Sequence, residues 1–231
     1  MKIHRFIGDF DFAQNLVVSK DPELYSQIKQ VLRLELGEQV ILSAGDMTEA
    51  QAKLVFLGDG RVEFEIIKRQ NNSAEPHRRV ILYLAILKRE NFELAAQKVV
   101  ECGIAKIVPI ISERTIKTGL KKDRLEKIIK EASEQAGRGI VPVLAEPMAF
   151  SEALEQSRVN TQNLFFDQSG EVLSGVNLEG TVGIFIGPEG GWTERELESA
   201  KSAGCQIVGL GKLTMRGETA TIVASYLVVH G

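Results

Sequence analysis

Cysteine and histidine are scarce: the chain holds only Cys102 and Cys205, and only His4, His77 and His230. Neither cysteine has the paired spacing of a zinc site, and a structural disulfide is not expected, so a reducing compartment such as the cytoplasm is the simplest setting. Three scattered histidines offer no cluster for a metal and no convincing Ser/His/Asp triad. Long apolar runs are missing too: no window approaches the ~18 uninterrupted apolar residues that a membrane span needs. Met1 to Phe12, with Asp9 and Asp11 interspersed, reads as folded strand and not as a targeting leader. The fingerprint GxGxxG follows no strand, and Gly211-Lys212 has Leu213 after it and Gln206 before it where a Walker loop needs Ser/Thr and Gly. Dinucleotide and ATP binding are thereby disfavoured. The net charge of −3 supplies no general positive field for a nucleic acid.

What is present describes an ordinary globular protein of one or two domains, with 44% hydrophobic and 26% charged residues over 231 positions. The first seventy residues are mostly β. Gln51 to Leu57 and Arg61 to Ile67 alternate in polarity around the hairpin signal Asp59-Gly60. One helix, starting at Pro22 and capped by Asp21, is expected to bury Leu24, Ile28, Val31 and Leu32. The polar, aperiodic segment from Gln70 to Pro76 reads as a linker, which predicts domains over 1–72 and 73–231.

After the linker, strands and helices alternate. Apolar runs at Val80–Leu87, Ile104–Ile111, Val141–Leu144, Leu164–Phe166 and Val182–Ile186 are separated by amphipathic stripes. One stripe holds Phe92, Ala95, Ala96, Val99 and Val100, another Leu125, Ile128, Ile129, Ala132 and Ala136, ended by Gly137. This predicts an α/β domain with a parallel sheet. The stretch from Arg114 to Lys130 carries seven basic residues, among them Lys117, against Asp123 and Glu126. Taken alone it is a solvated helix face.

Two glycine-rich strand ends carry the chemical signal. Val182–Ile186 runs into Gly187-Pro-Glu-Gly-Gly191, with a capping box of Thr193 and Glu196 behind it. Ile207–Gly211 runs into Lys212–Ala220 and a last helix with a stripe of Ala220, Val223, Ala224 and Leu227. Glycines there could serve turns only. They bracket Glu189, Glu218 and Thr219, however, and both loops end in helix N-termini with free N–H donors, where ligands of open α/β sheets sit.

These residues resemble the SPOUT class of RNA methyltransferases and, within it, the small-subunit ribosomal RNA methyltransferase E group. The resemblance spans nearly the whole chain: His4-Arg5-Phe6, Gln97-Lys98, Glu101-Cys-Gly103, Pro109, Ser112-Glu-Arg114, Glu134-Gln-Ala-Gly-Arg138, Val141-Pro142, Ile186 to Gly191, Leu210-Gly211 and Arg216 to Ala220. It implies a PUA-like β-barrel domain at the N-terminus and a SPOUT α/β domain with a trefoil knot after it, acting as a homodimer in the cytoplasm. S-adenosyl-L-methionine would be held by Gly187, Glu189, Gly190, Leu210, Gly211, Leu213 and Met215, with no metal. The family usually carries Thr where this chain has Gly217, between Arg216 and Glu218.

Family members methylate N3 of one uridine in 16S ribosomal RNA, of the small ribosomal subunit. That nitrogen is protonated at neutral pH, so a base must take its proton while the nitrogen is held in line with the methyl group. Glu218 is the candidate base or its orienter, and Arg216 and Arg138 are candidates for holding phosphate or developing oxygen charge. Structural roles compete: Glu218 could cap the last helix and Arg138 could neutralise a helix C-terminus. Arg5 and Arg33 of the first domain, with Lys121, Lys122 and Arg124 of the second, are the candidate phosphate contacts around an unpaired uridine. Three rival readings remain open: a SPOUT-type enzyme with another RNA target, an RNA-binding protein without catalysis, and a nicotinamide-dependent oxidoreductase.

Overall fold

The computed structural model describes residues 3–116, 119–173 and 178–231. The chain forms two compact units. The first comprises Met1–Glu75 and Ser133–Val141, the second Pro76–Ala132 and Pro142–Gly231.

The first unit contains β1 (His4–Ile7), β2 (Leu16–Ser19), α1 (Pro22–Ser26), β3 (Gln39–Ser43), β4 (Thr48–Gly58) and β5 (Arg61–Asn71). Asp59 and Gly60 both take positive φ, +51° and +70°, the conformation that a two-residue hairpin between β4 and β5 demands. The sheet order is β1-β3-β4-β5-β2, with β1 parallel to β3 and the other pairings antiparallel. This is a mixed five-stranded sheet with β1 and β2 as its edges. The expected closed barrel is not found among the described residues. Phe6, Ile28, Leu42, Leu54 and Phe64 are fully buried in its core.

Asp21 caps α1 by accepting from the Glu23 amide at 2.9 Å, an interaction that stabilises a helix start by about 1 kcal/mol. The helix then widens into a π-helical turn over Gln27–Leu32, ended by Arg33 in the left-handed conformation. The wider turn rotates later side chains off the expected face. Ile28 stays buried, whereas Val31, expected inside, is exposed.

The segment Ser133–Val141 is joined to the first unit through polar contacts. The Ile7 amide donates to Glu134 Oε1 at 2.9 Å, the Met47 amide to the Gly139 carbonyl at 2.8 Å, and Asn72 Nδ2 to the Gly137 carbonyl at 2.9 Å. Glu75 accepts from Arg138 Nε and Nη2, both at 2.8 Å, and from the Gly139 amide at 2.8 Å.

The second unit runs β6 (Arg79–Ala85), α2 (Arg89–Glu101), β7 (Lys106–Ile111), α3 (Lys122–Ala136, whose last turn belongs to the first unit), β8 (Val143–Leu144) and β9 (Met148–Ala149). It continues with α4 (Phe150–Gln156), β10 (Gln162–Val172), β11 (Thr181–Ile186), α5 (Glu194–Ser202), β12 (Gln206–Gly209) and α6 (Gly217–His230). All pairings in its seven-stranded sheet are parallel, in the order β12-β10-β11-β6-β7-β8 with β9 beside β7. Strands covered on both faces are continuously apolar, and Val80, Leu82, Tyr83, Leu84 and Ala85 of β6 are all buried. The five expected stripe residues of α2 are buried as well.

From β12 at the sheet edge, α6 returns to pack on α2, β6 and β11. Its buried face holds Glu218, Thr221, Ala224, Ser225, Val228 and Val229. Leu227, expected inside, is exposed.

Candidate functional site

The C-terminal ends of β10, β11 and β12 surround a cleft of about 1000 Å³, built wholly from the second unit. The loop after β11 is tightly tied down. A Cβ at Gly187 would stand 3.0 Å from the Trp192 ring, so the absence of a side chain lets the indole fold back over the strand end. That indole is buried, donates from Nε1 to the Phe166 carbonyl at 3.1 Å and lies 4.5 Å from the Phe165 ring. Gly191, at φ +70°, closes a turn by donating to the Pro188 carbonyl at 2.8 Å.

The capping box expected behind this loop is present. Thr193 Oγ1 accepts from the Glu196 amide at 3.2 Å, and Glu196 Oε2 accepts from the Thr193 amide at 2.9 Å. Glu196 also accepts from the Glu113 amide at 2.9 Å, which binds the turn after β7 to α5. Next to it, Arg114 Nη1 donates to the carbonyls of Gly190 at 2.7 Å and Trp192 at 3.1 Å.

Glu189 Oε1 accepts from the Lys88 amide at 3.0 Å and from Asn91 Nδ2 at 3.3 Å. Lys88 is the N-cap residue of α2 and offers no side-chain cap of its own, so Glu189 caps that helix from a distant part of the chain. Partial burial works against its charge, but the hydrogen bonds from the Lys88 amide and Asn91 prevail and hold the carboxyl below its ordinary range.

The loop after β12 is open by comparison. Gly211 sits at φ +112°, and a Cβ there would meet nothing within 4 Å. Leu213 is 82% exposed. Thr214 Oγ1 accepts from Gln168 Nε2 at 2.9 Å. Gln168 itself belongs to an interruption of β10: Phe166 and Glu171 both pair with Val208, so the residues between them loop out at the cleft.

At the far wall α6 begins with Arg216 as its extended N-cap. Glu218 in its first turn is buried, and its Oε2 has no hydrogen-bond partner among the described residues. A buried carboxylate oxygen without a donor is costly to stability. A Cβ at Gly217 would stand 2.9 Å from Leu87 Cδ2, so Leu87 fills the space that a side chain there would take.

The cleft thus brings together Gly187, Glu189, Gly190, Leu210, Gly211, Leu213, Met215, Arg216 and Glu218. Arg138 belongs to the other unit, where its buried guanidinium is held by Glu75. Among the candidate RNA contacts, Arg5 pairs with Glu49, Lys122 with Glu146 and Arg124 with Glu93. Arg33 and Lys121 are exposed, and Lys117 of the basic stretch lies outside the described residues. The sequence carries no sign of a role for Trp192, Lys88, Asn91 and Gln168, and it marks Arg114 only within a basic run and the motif Ser112-Glu-Arg114, not as a residue of the cleft. Their contribution depends on distant partners that no local pattern marks. Among the described residues no group of three or more His, Cys, Asp or Glu could hold a metal, and no helix is long and apolar enough to cross a membrane.

A family model described as an RNA methyltransferase domain matches residues 74–229. Ribosomal RNA small subunit methyltransferase E of Mesomycoplasma hyopneumoniae is 35% identical over 165 residues, covering 68% of this chain and 72% of the relative. The protein of that name from Synechocystis is 31% identical over 212 residues, 85% of this chain and 67% of the relative. Among solved structures, ribosomal RNA small subunit methyltransferase E of Neisseria gonorrhoeae, bound to S-adenosyl methionine, superposes with a TM-score of 0.90 at 31% identity, covering 98% and 96% of the two chains. A Legionella pneumophila protein in complex with the bound cofactor SAM superposes with a TM-score of 0.89 at 28% identity, covering 99% and 97%.

Proposed function

Because the chain belongs to the RNA methyltransferase family and, within it, to the ribosomal RNA small subunit methyltransferase E group, we propose that its cleft binds S-adenosylmethionine and directs methyl transfer to N3 of a uridine in 16S ribosomal RNA. The observation that carries this reading is the Glu218 carboxylate, buried with one oxygen unpartnered beside a cleft of side-chain-poor loops. The residues fit the cofactor. Gly187, Gly190 and Gly211 give main-chain access, Leu210, Leu213 and Met215 offer an apolar seat with backbone donors and acceptors for a purine, and Glu189 fixes the loop by capping α2.

S-adenosylmethionine supplies an electrophilic methyl group on a sulfonium. Glu218 accepts the N3 proton of the uracil, which otherwise blocks the nitrogen lone pair at neutral pH. Arg216, exposed at the N-cap of α6, stabilises negative charge spreading onto the uracil oxygens. Arg138, engaged by Glu75, serves the first unit by holding its returning segment. Arg33 and Lys121 contact RNA phosphates, and Arg5, Lys122 and Arg124 contribute less because each already faces a carboxylate.

The same reading extends to architecture. The first unit is a PUA-like RNA-binding module, and the second unit is a SPOUT domain whose return of α6 from the sheet edge to β6 and β11 accompanies a trefoil knot. The exposed Tyr226 and Leu227 of α6 support a homodimer packed through that helix. The protein acts in the cytoplasm on RNA of the small ribosomal subunit.

The test is methylation of 16S ribosomal RNA with S-adenosylmethionine, followed by mass-spectrometric mapping of modified nucleotides. Wild type yields 3-methyluridine at one site, and Glu218→Gln lowers turnover by about 10²- to 10⁴-fold while keeping cofactor affinity. Absence of both cofactor binding and methyl transfer in the wild type would overturn the assignment.

A further inference from the structure

Three arginines of this chain can be compared by what fills the side-on edge of the guanidinium, formed by Nε and Nη2. In Arg124 that edge takes the Glu93 carboxylate, with both contacts at 2.8 Å. In Arg138 it takes the Glu75 carboxylate, again with both at 2.8 Å. Arg114 differs. Its Nη1 is occupied by two main-chain carbonyls of the glycine loop, yet its Nε and Nη2 have no partner among the described residues, and the residue lines the cleft. Its neighbour Glu113 faces Arg195 instead, at 4.0 Å.

We propose that Arg114 divides its guanidinium between two tasks: Nη1 locks the Gly190–Trp192 loop, and the Nε–Nη2 edge receives an anionic pair of oxygens on a molecule bound in the cleft. A side-on guanidinium edge presents two parallel donors at the spacing of carboxylate or phosphate oxygens, a match that Lys lacks. The aliphatic stem adds a constraint, since Arg114 Cδ and Cβ lie 3.4 and 3.5 Å from where a Gly190 Cβ would be. Loop and anion therefore share one rigid group, so that ordering the loop also aims the free edge. This inference rests on the reading that the cleft takes S-adenosylmethionine and RNA, which offer one carboxylate and many phosphates respectively.

The experiment measures binding of S-adenosylmethionine and of its decarboxylated form by calorimetry, and of a uridine-containing RNA stem-loop over a salt series. The proteins are the wild type, Arg114→Ala and Arg114→Lys. Losing charge-assisted hydrogen bonds predicts that Arg114→Ala weakens S-adenosylmethionine by about ten- to a hundredfold, with Arg114→Lys recovering only part because it keeps charge without the paired donors. If the anion is the cofactor carboxylate, decarboxylation costs affinity in the wild type and nothing further in Arg114→Ala. If it is an RNA phosphate, both cofactor forms weaken equally and the salt slope of RNA binding falls by about 0.7. Equal weakening of both cofactor forms with an unchanged slope would overturn the anion edge, and wild-type constants throughout would overturn both tasks. Should Arg114→Ala unfold, Arg114→Lys carries the same comparisons. A wild type that ignores S-adenosylmethionine altogether defeats the functional assignment instead, which keeps the two failures apart.

Discussion

The two glycine-rich loops of the cleft look alike in sequence and are built in opposite ways. The loop after β11 is held by the buried Trp192, by Arg114, by the Thr193–Glu196 box and by Glu189 on α2. The loop after β12 leaves Gly211 in open space and Leu213 extended into solvent. A loop ordered by the fold loses no further freedom on binding, whereas one ordered by its ligand subtracts that entropy from affinity. The first loop should therefore govern where a ligand sits, and the second how tightly.

Breaking the first loop should cost stability most. Trp192→Ala removes a buried aromatic from the Phe165 and Phe150 cluster and is expected to lower unfolding free energy by about 3–5 kcal/mol. Denaturant titration measures this, and a loss below about 1 kcal/mol would remove the contrast between the loops. Breaking the second loop should cost affinity. Gly211→Val forces a β-branched residue to φ +112°, a strain of about 1–3 kcal/mol that an open loop relaxes when unbound and that the bound form has to absorb. The expected outcome is S-adenosylmethionine binding weakened by about 10- to 100-fold with the unfolding midpoint nearly unchanged. An equal shift in both observables would show that this loop, too, is fixed by the fold.

The smallest effect concerns Glu189. Its carboxyl is held below the ordinary glutamate value, so its contribution is complete above that value and is lost as pH falls through the lower folded one. Wild type should lose about 0.3–1 kcal/mol more than Glu189→Gln on acidification below about pH 4, because only the carboxylate supplies a charged cap to α2. Parallel stability–pH curves for the two proteins would argue against the cap.

Features carried by local rules were legible in the sequence. The stripe of α2, the cap at Asp21, the turn at Asp59-Gly60 and the Thr193–Glu196 box all depend on residues within a few positions of one another. Features depending on distant partners were not. The face of α6 was misread because its buried side includes Glu218, Thr221 and Ser225, which break the apolar period. Val31 was misplaced because the widening of a helix into a π-helical turn has no compositional sign. The site glycines could be listed from their strand ends, but the tie from Arg114 to Gly190 joins residues 76 apart in the chain.

The first unit is discontinuous, and that orders events during synthesis. Residues through Glu75 emerge well before Ser133–Val141, and until then the Met47 and Ile7 amides and the Glu75 carboxylate lack the partners they hold in the finished structure. An N-terminal fragment ending at the linker would be an incomplete module, prone to open at its polar seam. Domains usually mature in order of translation. Here the earlier one is completed only after β6, α2, β7 and most of α3 have been made, so the nascent chain carries the five-stranded sheet without its returning segment while residues 76–132 are synthesised.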